Sequence, residues 1–227
     1  MTTARFDIYR QIHKAMRASM SDAMLAAGRA DPMDDSERDQ LLAQIRGMLT
    51  FARGHLEKEE KFVHPAMESR APGSTKETAQ DHLSHAHAFA DLEEALAALA
   101  HGDAGERPAA AHALYAKLAH FTGENFLHMQ VEETANNEVL WRTHSDDELV
   151  AIERAIVASL TPQEKAYAAQ WMLPFANPQE RAELLRLMRP AMPPEAFGGL
   201  LRMVETRLSP AHWQKLVVAL EPPTLAA

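Results

Sequence analysis

Cysteine is missing from the 227-residue chain. Its absence excludes disulfides, thiolate-held iron–sulfur clusters and zinc–thiolate sites, and it leaves redox chemistry silent about the compartment. Glycine is scarce, at 9 residues, while alanine and leucine abound, a bias toward helix. No apolar run is long enough to span a bilayer, and Met1 to Arg10 lacks the apolar core of a secretory signal. No basic cluster stands out, and the net charge of −9 opposes binding to a phosphate backbone. Together these absences predict a soluble, cytoplasmic protein with neither nucleic acid nor membrane as partner. The length suits one good core plus an appendage, or two small domains. Histidine is the residue in unusual supply, with 12 copies, and its placement is informative.

In Gly54-His55-Leu56-Glu57-Lys58-Glu59-Glu60 a glutamate follows a histidine by four residues, and His128-Met129-Gln130-Val131-Glu132-Glu133 repeats the arrangement. Positions i and i+4 share a helix face, so each pair offers an imidazole and a carboxylate to one ion. Apolar spacings of three and four define four long helical stripes. The first runs from about Thr3 to Ala27 through Phe6, Tyr9, His13, Met16, Met20 and Met24. The second starts at Asp35 or Ser36 and runs through Leu41, Ile45, Met48, Ala52, His55, Glu59, Phe62 and Ala66, ending before Ala71-Pro72-Gly73. The third opens on a capping-box pattern, Ser74-Thr75-Lys76-Glu77, and carries Thr78, His82, His85, Phe89, Leu92, Leu96 and Leu99. The fourth begins near Pro108 and carries Ala111, Leu114, Leu118, Phe121, Asn125, His128, Glu132 and Ala135.

Short connections between long helices predict an all-α, up-down-up-down four-helix bundle over residues 1–143. Counting residues to each break at about 1.5 Å per residue brings the stripe histidines of all four helices into roughly one layer, the first hairpin fitting worst. From Ser145 the pattern changes to about five short helices, opened by Ser145, Thr161, Asn177, Met192 and Ser209, with a frayed tail from Pro222. Residues 144–227 therefore form a helical extension without recognisable catalytic residues, and homo-oligomer contacts through these helices are one role for it.

Glu59 and Glu132 lie inside their helices on the apolar stripe. Burying such carboxylates uncompensated costs several kcal/mol, and no lysine or arginine shares the stripes. A bound cation is the simplest compensation. Histidine with carboxylate and no thiolate suits iron, manganese or zinc rather than calcium. Two carboxylates among four or five imidazoles fit two bridged metals better than one. Neither Glu-x-x-His nor His-Glu-x-x-His occurs in the chain.

The set His13 in Arg10-Gln11-Ile12-His13-Lys14, His55-x-x-x-Glu59, Asp81-His82 and His128-x-x-x-Glu132 resembles the hemerythrin family, in particular its bacterial HHE cation-binding branch. The resemblance implies a non-haem di-iron centre in a four-helix bundle, with manganese or zinc as substitutes. It implies Glu59 and Glu132 as bridges, His13 and His55 on one iron, and His82 and His128 on the other. It further implies binding of oxygen, or of a related small oxidant or diatomic, for sensing, storage or detoxification. A di-iron peroxidase or catalase-like enzyme is the alternative, and a metal-stabilised interaction protein a third reading.

Oxygen-carrying members have a histidine four residues after the third-helix one, where this chain has Ala86. His85 either substitutes as a ligand or stands beside the metal as a donor. In the second case an open coordination position favours peroxide, nitric oxide or redox chemistry over reversible oxygen carriage. Glu133 is the alternative bridge to Glu132. Tyr9 is read chiefly as core, Asn125 as a hydrogen-bond partner for a ligand, and Glu60 as solvated or supporting. Phe51, Phe62, Phe89 and Phe121 wall the layer. His64, His87, His101, His112, His120, His144 and His212 read as surface residues.

Overall fold

The computed structural model describes residues 5–221, and every regular element among them is helical. The chain divides into two compact units, Met1–Thr161 and Pro162–Ala227. In the first, α1 (Arg10–Arg29) is followed by α2 (Asp35–Lys58). That helix continues through a π-helical turn, Glu59–Val63, into α3 (His64–Arg70). α4 (Lys76–His101) comes next. Then α5 (Arg107–Val131) continues through a second π turn, Glu132–Asn136, into α6 (Asn137–Thr143). α1 packs on α2, α2 on α4, α4 on α5 and α5 back on α1. Those pairings close the four-helix bundle that the stripes predict.

The helix starts differ from the sequence expectation, each for a local reason. α1 begins at Arg10 because Asp7 Oδ1 accepts the backbone N–H groups of Tyr9 and Arg10 at 3.1 and 3.2 Å, which puts Phe6 in the lead-in segment. Thr3 lies outside the described residues. Asp34, one residue before the expected caps, accepts from the Glu37 N–H at 2.9 Å and starts α2. The Ser74–Glu77 capping box does not form. Glu68 instead reaches across the turn and accepts from the Gly73 N–H, the Thr75 N–H and the Thr75 hydroxyl at 2.7, 3.0 and 2.7 Å. Gly73 has φ +83°, a left-handed conformation that a side chain disfavours.

The π turns explain where the predicted stripes slip. As far as Glu59 and Glu132 the burial follows the α period. Beyond them it moves by one residue: Val63 and Met67 are buried in place of Phe62 and Ala66, and Asn136 in place of Ala135. An i→i+5 hydrogen bond admits one extra residue into the turn. Here the N–H of His64 bonds to the Glu59 carbonyl, and that of Asn137 to the Glu132 carbonyl.

α7 (Asp146–Ser159) closes the first unit. It starts on a complete Ser145–Glu148 capping box and packs Leu149, Ile152 and Ile156 with Val63, Met67 and Leu140. This packing carries the first unit to Thr161, past the break drawn at residue 143. The second unit contains α8 (Pro162–Phe175), α9 (Pro178–Met188), α10 (Pro194–Arg207) and α11 (Pro210–Leu220). Asn177 forms a complete capping box with Glu180, and Ser209 accepts from the His212 N–H. Leu173, Leu185, Val204 and Leu216 are the buried centre of this unit. The buried Arg181 guanidinium caps the end of α8 by donating to the carbonyls of Leu173, Pro174 and Ala176 at 2.7, 3.0 and 2.7 Å. Among the described residues no helix is long and apolar enough to cross a membrane. The fraying expected from Pro222 lies outside the described residues.

Candidate metal centre

α1 supplies His13, α2 His55, α4 His82 and α5 His128, while Glu59 and Glu132 open the two π turns. Two sets of side chains converge: His13, His55, Glu59 and Glu132, and Glu59, His82, His128 and Glu132. Within each set one ligand atom per residue lies within 4.8 Å of every other. Both carboxylates belong to both sets. Glu59 turns Oε1 toward His55 Nε2 at 3.1 Å and Oε2 toward His82 Nε2 at 3.6 Å. Glu132 turns Oε2 toward His13 Nε2 at 3.4 Å and Oε1 toward His128 Nε2 at 3.5 Å. Each carboxylate thus offers one oxygen to each histidine pair. Within the pairs the Nε2 atoms face one another, His13 to His55 at 3.1 Å and His82 to His128 at 3.2 Å.

Three of the four other ring nitrogens are held from outside. Glu133 Oε1 lies 3.0 Å from His13 Nδ1, Glu60 Oε1 3.2 Å from His82 Nδ1, and Asp81 Oδ2 3.2 Å from His128 Nδ1. A carboxylate on Nδ1 fixes that nitrogen as the donor and frees Nε2 to ligate. Arg17 completes one arm by donating to both Glu133 oxygens at 2.5 and 3.0 Å. The two His-x-x-x-Glu-Glu motifs act alike. In each, the second glutamate supports a histidine on a neighbouring helix, His82 for Glu60 and His13 for Glu133. The doubled glutamate is the sequence signal that marks this role.

All four oxygens of Glu59 and Glu132 are buried and lack a hydrogen-bond partner. The histidines approach them without hydrogen-bond geometry, as donor atoms do around a shared cation, so the residues present fit a metal site. Burial opposes charge on Glu59, but His55 and His13 outweigh it and hold the carboxyl well below its usual range. Burial and the neighbouring Glu59 push Glu132 the other way. Burial also opposes a charge on His13, yet Glu132, Glu133 and Glu59 lift its pKa to about 10. On the α4 side, burial followed by the nearby histidines lowers His82 to about 3 and His85 to about 4, against a pull from Glu59. His82 and His85 therefore stay neutral near pH 7, with lone pairs available.

His85 is buried but stands outside both sets. Its ring sits edge-on to His128 with centroids 4.9 Å apart, and Nδ1 has no partner. Tyr9 stacks on His13 at 5.0 Å, and its hydroxyl accepts from Asn136 at 3.4 Å. One N–H of the buried Asn125 amide donates to the Phe121 carbonyl at 2.9 Å. Phe89 and Phe121 are buried beside the layer, while Phe51 and Phe62 are half-buried. Two histidines read as surface residues are buried. His64 stacks on His82 at 5.0 Å and lies 3.4 Å from the Thr78 hydroxyl. It follows Glu59 by five residues, a spacing that shares a face only through a π turn. His144 packs at the end of α6 with Nδ1 2.8 Å from the Thr143 hydroxyl. His87, His101, His112, His120 and His212 are exposed.

An antiparallel helical bundle with histidines and shared glutamates buried at mid-height defines a metal-binding bundle protein. Residues 5–140 match the hemerythrin HHE cation-binding domain, and the chain belongs to that family. Searches of curated proteins and of solved structures find no match.

Proposed function

We propose that the chain holds two non-haem irons bridged by Glu59 and Glu132, with His13 and His55 on one and His82 and His128 on the other. Its function on this reading is to bind oxygen, or a related small oxidant or diatomic, for sensing, storage or detoxification. The observation that supports it best is the orientation of the two carboxylates, each with one oxygen toward either histidine pair and none in a hydrogen bond. The bound irons would supply redox chemistry and a position for the small ligand. The chain orients the imidazoles through Glu133, Glu60 and Asp81, and Phe89 and Phe121 belong to the apolar cluster beside the layer.

The position of His85 outside both sets favours, as a second reading, peroxidase-like or catalase-like turnover of peroxide. One experiment separates the two. The purified chain is analysed for metal, with an expected content of about two irons per chain from six ligands shared as described. It is then reduced without air and exposed to oxygen or peroxide under optical monitoring. Reversible spectra support binding and sustained peroxide consumption supports turnover. A chain that stays metal-free after iron-replete expression overturns both.

A further inference from the structure

A cavity of about 220 Å³ opens on the α4–α5 face. Ala88, Leu92 and Phe121 make part of its wall apolar, while Asp91, Lys117 and Glu124 bring both signs of charge to it. The space has room for several waters and exceeds what a diatomic needs. His85 also lines it. The same imidazole is only 3% exposed and meets the rings of His128 and Phe121 edge-on at 4.9 and 6.3 Å. It therefore stands between the cavity and the His82–His128 end of the ligand layer. Its Nδ1 is closed off from solvent and lacks a partner, so the ring meets the cavity through its other atoms.

The two ends of the layer are unequally closed. At the α1 end the outer carboxylate, Glu133, is 28% exposed and clamped by Arg17. At the α4 end the outer carboxylates, Glu60 and Asp81, are 58% and 41% exposed. The cavity lies beside this looser end.

We propose that the α4–α5 cavity is the port and holding site for the small ligand, with the His85 ring as its inner wall. The ligands it suits are small polar molecules of the peroxide or azide class, delivered to the His82–His128 side of the layer. This assignment rests on the metal reading above.

The test uses the iron-loaded full chain with azide as probe. Azide association is followed optically by stopped flow, and iron content is measured on the same samples. Ala88→Phe fills the cavity, and Ser84→Trp covers its exposed lip without entering the core. Both are expected to slow azide association by about tenfold, within the range over which rates vary among variants of one site, while iron content holds. Wild-type association rates in both cavity variants, with iron retained, overturn the port and leave the metal reading standing. A wild-type chain without iron overturns both.

Discussion

At the scale of single residues, buried carboxylates persist only where other groups share their charge. At Glu59 and Glu132 that sharing falls on two histidine pairs at once. Glu59→Ala should therefore lower metal content at both positions together. Metal analysis of the purified variant checks this, and full retention of two metals would remove Glu59 as a bridge. Glu133→Gln keeps the shape of the side chain but weakens its hold on His13 Nδ1 and Arg17. Metal affinity is expected to fall by about 10- to 100-fold, the usual cost of losing an outer partner, as read by chelator competition. The six ligand-type residues were legible because each lies on an α-helical stripe. His64 was not, since its contact with His82 depends on a backbone hydrogen bond that leaves no mark in composition or period. The burial of His85 was legible from its stripe. Its separation from the ligand sets was not, because position along a helix does not tell how far an imidazole reaches.

At the scale of elements, the π turns were the invisible feature. The stripes hold down to Glu59 and Glu132, and the one-residue slip begins where the second hydrogen-bonding pattern takes over. Lys61 is an exposed residue inside the first π turn. Deleting it brings Val63 and Met67 onto the α-helical phase of His55 and Glu59, so the shortened helix keeps its downstream packing face. The variant is expected to fold while losing metal affinity by about tenfold or more, because Glu60 and His64 change position relative to His82. Thermal unfolding of the metal-free chain and a metal competition assay measure the two halves of this expectation. The turn before α4 gives a pH prediction. Glu68 is held at about 2 by bonds from the Gly73 N–H, the Thr75 hydroxyl and the Thr75 N–H. With the folded pKa below the unfolded value, its contribution to stability is present above about pH 4.5 and disappears as pH falls through about 2. Glu68→Gln should lower the melting temperature at pH 7, and the difference from the parent should shrink at pH 2.5.

At the scale of the whole molecule, the first unit includes α7. A chain ending at Thr161 should fold and keep its metal. One ending at Thr143 loses the packing of Leu149 on Val63, Met67 and Leu140, along with the Arg70–Glu148 pair at 2.6 Å. Its stability should drop by about 3 kcal/mol, the scale for removing one large buried side chain, as measured by urea unfolding. The bundle and its neighbours were readable from periodicity. The extent of the unit was not, because a short helix with strong caps at its start carries no sequence mark of which core it joins.

The ligand layer also divides the apolar interior of this unit. One hydrophobic cluster, built on Met20, Ile45, Leu96 and Leu118, occupies the part of each helix on one side of it. A separate cluster, built on Ile8, Val63, Met67, Leu140 and Leu149, occupies the other side. The buried histidines and glutamates of the layer lie between them, and the two helices with π turns carry a different packing phase in each half. A cation held in the layer would then act as a weld between two separately packed halves. Stripped of metal, the smaller half should open on its own: amide exchange in α3, α6 and α7 should accelerate first, while α4 and the body of α5 stay protected.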